Sequence, residues 1–242
     1  MSDRTTARVV GILFIVASVT AILGGSLIQP ITESGGALDV ATGGDAPVVA
    51  GILLELVLVA SVGGIAALLF PVLRRVHEGM AMGYVVARTL EAGVLLAASL
   101  AALVSVASVR GLPESDLADI SAFDVSLAVR EQAYLVGSLV MLGVGGLLLY
   151  ALLYRGRLVP VWLSLWGLAG AALILLRGLL EMGGVNLDVA VQAALAAPIG
   201  LQEMVLAVWL IVRGFRAIPV PAAPGSSSGT PAGAGATTRA GG

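Results

Sequence analysis

Apolar residues along this chain come in long unbroken blocks, separated by short polar segments, and not in a repeat that leaves one face polar. The first block follows Arg4 and Arg8 and runs from 9 to 28 without a formal charge. Further blocks cover roughly 47–73, 80–109, 133–154, 158–182 and 189–212. About 20 helical residues cross a hydrocarbon core of about 30 Å, so every block is long enough. The pattern predicts an all-α fold, an integral membrane bundle of six transmembrane helices. A closed barrel would show alternating segments of about 10 residues instead. A signal peptide also has a basic start, but its apolar region is only about 7–15 residues, so the first block is read as a span. Ala17, Ala21 and Gly25 recur on it every four residues. Such a small-residue stripe lets a neighbouring helix approach closely.

The segments between spans are polar. Residues 28–46 read as a loop rich in Gly, Ser and Thr, with Glu33, Asp39 and Asp45. The stretch from Arg110 to Glu131 is acidic, with Leu117, Ile120, Phe123 and Leu127 at roughly helical spacing. It reads either as a short amphipathic helix lying over the bundle or as an ordinary loop. Pro, Gly, Ser, Ala and Thr dominate the end of the chain. The division is therefore a membrane domain over 1–216 and a disordered cytoplasmic tail over 217–242. Within the tail, 225–229 spells the letters of a hydrolase nucleophile elbow, but that motif needs a strand-to-helix turn.

Composition narrows the chemistry. Hydrophobic residues make up 58% and charged residues 12%, against about 25% charged in soluble domains. The absence of cysteine removes disulfides, thiolate metal sites and iron–sulfur ligation. The single histidine, His77, reads as a solvated turn residue, so no metal site and no cofactor are expected. Every basic residue is an arginine, and none forms a cluster on a soluble face, so no nucleic-acid partner is expected. With six spans, Arg4, Arg8, Arg74, Arg75, Arg155, Arg157, Arg213, Arg216 and Arg239 share one side, and Arg110 and Arg130 the other. Basic loops mark the cytoplasmic face, so both termini are predicted to be cytoplasmic. Tyr150, Tyr154, Trp162 and Trp166 then read as an aromatic belt at that interface.

Six ionisable residues stay inside the spans: Glu55, Arg88, Glu91, Arg177, Glu181 and Glu203. Each charge at a helix centre costs about 2.5–3.5 kcal/mol on insertion scales, so such residues face the bundle interior and pair. Arg88 and Glu91 share a helix face, as do Arg177 and Glu181. Helical rise puts Arg88 about 12 Å and Glu203 about 14 Å from the cytoplasmic boundary. It puts Glu55 about 12 Å and Arg177 about 9 Å from the outer one. Depth therefore predicts the pairs Arg88–Glu203 and Glu55–Arg177, with Glu91 near the midplane and short of a partner. Acids outnumber bases, so one or two carboxylates are expected to be protonated, hydrated or bound to a cation. Pro198 removes a backbone hydrogen bond five residues before Glu203, which either offers a free carbonyl to the site or serves only as a packing kink.

Two readings follow. The six residues form a polar site for a small polar ligand or a proton, in binding or transport. Alternatively they fix helix packing in a non-catalytic structural or accessory component. An enzyme is the weakest reading, because there is no His–Glu–x–x–His motif, no cysteine and no serine–histidine pairing in the spans. In either case the lipid bilayer is the expected partner.

Several stretches carry a family resemblance. They are Ala7-Arg8-Val9-Val10-Gly11, Phe70-Pro71-Val72-Leu73-Arg74-Arg75 and Gly83-Tyr84-Val85-Val86-Ala87-Arg88-Thr89-Leu90-Glu91-Ala92. Pro198-Ile199-Gly200-Leu201-Gln202-Glu203 and Trp209-Leu210-Ile211-Val212-Arg213-Gly214-Phe215 add to them. Together, over roughly 5–216, they resemble the bacterial membrane proteins grouped as domain of unknown function 4386. The resemblance implies six spans in a bacterial inner membrane and no established activity.

Overall fold

A computed structural model of the chain describes residues 2–32, 36–113 and 121–216. The expected tail, 217–242, lies outside the described residues, as do Leu117 and Ile120. The described residues are helical and contain no strand. In chain order they form α1 (Asp3–Ile28), α2 (Gly36–Ala41), α3 (Ala46–Leu73), α4 (Glu78–Val109), α5 (Ser121–Leu135), α6 (Leu142–Arg155), α7 (Val161–Met182) and α8 (Val189–Val212). A π-helical turn, Val136–Met141, joins α5 to α6, so the two form one rod from Ser121 to Arg155. Six segments are long and apolar enough to cross a membrane: α1, α3, α4, the α5–α6 rod, α7 and α8.

The acidic segment before the fourth span is therefore not a separate surface helix over its described part: 110–113 are a turn and irregular backbone, and α5 begins at Ser121. Its residues from Ser121 onward are the opening turns of the span itself. Phe123 packs beneath α2 with Ile28, Ile31, Val40, Val48, Ile52 and Val106. The described residues of the 28–46 segment likewise contain helix α2 and a 3-10 turn, Gln29–Thr32. His77 is exposed in the α3–α4 turn, as expected, and its Nδ1 also accepts the Met80 N–H at 3.1 Å and so caps α4.

The six spans form a ring. Each packs on its chain neighbour, and α8 returns against α1 to close it. Without a hydrophobic force between helices in lipid, close packing of small residues must hold such contacts. At the α1–α3 crossing, a Cβ on Gly24 would lie 3.0 Å from the Gly51 carbonyl oxygen, and one on Gly51 2.8 Å from that of Gly24. At the α1–α8 closure, a Cβ on Gly11 would lie 2.6 Å from the Ala207 carbonyl oxygen. The stripe read from the sequence is thus displaced. Ala17 packs with Leu58, Val62 and Leu95, and the nearest atom to a Cβ on Gly25 is the Tyr134 hydroxyl at 4.0 Å.

The two ends of the ring differ. At one end the start of α1, the α3–α4 turn, the α6–α7 turn and the close of α8 meet. Arg75 pairs with Asp3 at 2.8 Å, Arg155 donates to the Met80 sulfur at 3.4 Å, and the Arg216 N–H donates to the Leu158 carbonyl at 2.8 Å. The arginines of those four segments are gathered there, whereas Arg110 sits at the far end, paired with Asp45. The arginine-rich end is closed by the largest apolar core, built from Phe14, Leu69, Tyr84, Leu149, Leu153 and Leu206 among others. Tyr150 is fully buried in that core and so is not part of an interfacial belt; Tyr154 and Trp162 are exposed.

Candidate functional site

The polar residues inside the ring fall into three groups, each built around an arginine. The first lies on α4, where Arg88 and Glu91 are one turn apart and each only 3% exposed. Arg88 Nη1 donates to both Glu91 oxygens, at 2.8 and 2.7 Å, and Nε reaches the Tyr84 hydroxyl at 3.4 Å. The guanidinium carbon lies 5.8 Å from the Tyr84 ring centre, a cation–π distance. Glu91, expected to lack a partner, is therefore the residue that holds Arg88. Glu203 is half-buried and, among the described residues, makes no hydrogen bond or ion pair. Depth alone made Arg88–Glu203 plausible, but a partner on the same helix is already within reach before any cross-bundle contact forms.

The second group overturns the other predicted pair. Glu55 on α3 is bound by Arg130 on α5 and not by Arg177. Nη2 donates to Oε1 at 2.7 Å and Nη1 to Oε2 at 2.9 Å, a bidentate fork. Ser99 on α4 donates a further hydrogen bond to Oε2 at 2.9 Å, and Arg130 lies 5.6 Å from the Tyr134 ring centre. Three spans are joined at one carboxylate that is 2% exposed. Arg130 read as a loop residue because the apolar block starts at 133. The helix in fact begins at Ser121 and carries Arg130 about 14 Å into the span.

The third group ties α7 to α8. Arg177 Nε donates to Glu181 at 2.7 Å, and Nη2 to the Gln192 side-chain oxygen at 2.9 Å. Gln192 in turn donates to the Leu187 carbonyl at 2.8 Å, which fixes the turn between the helices. Gln192 drew no notice in the sequence because an uncharged amide in an apolar block carries no signal.

These groups surround a cavity. Its wider part, about 730 Å³, is lined by Arg130, Tyr134, Ser138, Arg177, Glu181, Ile199 and Glu203, with exposed Glu131 at the rim. A deeper part, about 220 Å³, is lined by Phe14, Leu58, Arg88, Glu91, Leu95 and Glu203. The two share Ala21, Ile22, Tyr134, Ser138, Leu142, Gly200 and Glu203, so they form one space that descends toward the closed, arginine-rich end. The π-turn contributes here, presenting Ser138 and Leu139 to the wall; π-turns within helices often mark functional sites. Pro198 contributes less than expected. The carbonyl it frees belongs to Ala194, which is exposed and is not part of the cavity wall.

Of the six charges picked out in the sequence, Arg88, Glu91, Arg177, Glu181 and Glu203 line this space, and Glu55 stands behind Arg130. Among the described residues no group of His, Asp or Glu is arranged to hold a metal ion. A family model described as "Domain of unknown function (DUF4386)" matches residues 9–214. No curated protein and no solved structure matches the chain.

Proposed function

Since the chain belongs to the family Domain of unknown function (DUF4386), whose description assigns no activity, we propose a function from the cavity itself. The protein is a multi-pass membrane protein that binds a small molecule in the ring, in a transport or binding role. Glu203 is the group that takes up the ligand or a proton. One observation carries this reading: an accessible space reaches the Arg88–Glu91 pair and passes a carboxylate with no partner among the described residues. Charges placed inside a membrane bundle mark ligand and proton paths. The arginine-rich end is assigned to the cytoplasm by the basic-loop rule, with both termini there, and the membrane to a bacterial inner membrane.

The packing alternative is supported at one place. Glu55–Arg130 is buried, bidentate and shared by three spans, which suits a pair that fixes helix positions. It does not account for Glu203.

Site-directed thiol labelling tests the reading, because the chain has no cysteine of its own. Ser138→Cys and Ala196→Cys should react with a water-soluble, membrane-impermeant methanethiosulfonate applied at the outer face. Ala207→Cys, fully buried at the closed end, should not. A folded Ser138→Cys protein that resists the reagent would refute a hydrated cavity.

A further inference from the structure

The charge balance of the cavity points to the class of ligand. Each arginine on its wall is already held by a carboxylate: Arg88 by Glu91, Arg130 by Glu55 and Arg177 by Glu181. An anion would have to compete with those carboxylates. Glu131 is left over at the exposed rim, and Glu203 is the charge left over deep in the space, beside Arg88 and Glu91. That floor sums to one negative charge, and a carboxylate set inside a membrane bundle takes a compensating partner. The rest of the wall is mostly apolar, including Ile22, Leu139, Leu142, Ile174 and Ile199. A volume of this order holds a drug-sized molecule; ligand sites run to about 300–1,000 Å³.

The entrance fits the same class. The α1–α8 contact is tight at the closed end, where Gly11 meets Ala207. Toward the other end that close approach is not repeated, and a Cβ on Gly200 would meet nothing within 4 Å. No residue of α8 before Ile199 is fully buried, Gly200 is exposed, and Ile22 on α1 is 71% exposed while lining the cavity. This gap faces the side of the ring, which in a membrane is lipid. A ligand that partitions into the bilayer can enter there.

We propose that the cavity takes a lipophilic organic cation, which enters through the α1–α8 gap and pairs its charged centre with the Glu203 carboxylate. The inference rests on the reading of the cavity as a ligand site and adds the chemistry of the ligand.

Two probes of one shape and opposite charge test it: tetraphenylphosphonium and tetraphenylborate, in equilibrium dialysis with the full chain in detergent. Tetraphenylphosphonium should bind saturably, one per chain. Its affinity should fall at least tenfold in Glu203→Gln and by less in Glu203→Asp, with the melting temperatures of both variants within a few degrees of the parent. Tetraphenylborate should not saturate. Equal affinity in the parent and Glu203→Gln, or preferred binding of tetraphenylborate, overturns the proposal. If neither probe binds while Ser138→Cys still labels, the ligand class is wrong and the cavity reading stands. If Ser138→Cys also fails to label, both fall.

Discussion

Replacing Arg130 by leucine tests how much of the bundle hangs on one ion pair. The change removes both guanidinium donors from Glu55 and leaves that carboxylate, 2% exposed, with the Ser99 hydroxyl alone. Breaking a buried pair by removing one partner costs about 3–5 kcal/mol, because an uncompensated charge stays behind. For a domain of this size, 1 kcal/mol shifts the melting temperature by about 2–4 °C. Arg130→Leu should therefore lower it by about 6–20 °C in a fluorescence melt of the detergent-solubilised protein. Replacing both partners with apolar residues is often neutral or stabilising, so Glu55→Leu/Arg130→Leu should recover at least half of that loss. If the double variant is as unstable as the two single losses added, Glu55 and Arg130 are not an energetic unit, and the reasoning from the fork geometry fails.

Other perturbations follow from the same contacts. Arg88→Leu leaves Glu91 and Glu203 facing each other without a cation and should cost about 3–5 kcal/mol, whereas Glu203→Gln should leave the melting temperature nearly unchanged; the reverse order in thermal melts would refute the assignment of Arg88 to Glu91. Gly11→Ala forces a Cβ to 2.6 Å from the Ala207 carbonyl oxygen and 2.8 Å from Ile211. It should destabilise by about 1–3 kcal/mol, while Gly63→Ala, with nothing within 4 Å, should be neutral or stabilise by up to about 1 kcal/mol. Gln192→Ala releases Arg177 from α8 and should speed thiol labelling of Ala196→Cys at least twofold in a stopped time course.

The spans were legible because length and apolarity in uninterrupted blocks are a one-dimensional signal that the bilayer itself imposes. Arg88 and Glu91 were legible as interior charges for the same reason, and Arg177–Glu181 as a same-face pair. The cross-bundle partners were not. Depth fixes one coordinate of a residue, and Glu55–Arg177 matched in that coordinate while the ring order kept α3 and α7 apart. The true partner, Arg130, was hidden because it interrupts the apolar block together with Asp124 and Glu131 and pushes the apparent start of the fourth span inward. A helix that carries the counter-charge of another helix deep into the membrane breaks the rule that charged residues mark the end of a span. The π-turn at Val136–Met141 has no residue signature, and the tight crossing used Gly24 where periodicity favoured Gly25.

The closure of the ring by its first and last helices sets an order of assembly. Gly11 cannot meet Ala207 until the final span is made, so during synthesis the incipient cavity lies open to lipid along one side. Arg88–Glu91 and Arg177–Glu181 each sit within one helix and can enter the bilayer already neutralised. Glu55 must wait for the fourth span to bring Arg130. Among these charges Glu203 arrives last, on the helix that seals the ring, so the charge proposed to meet the ligand is also the one whose insertion closes the cavity wall.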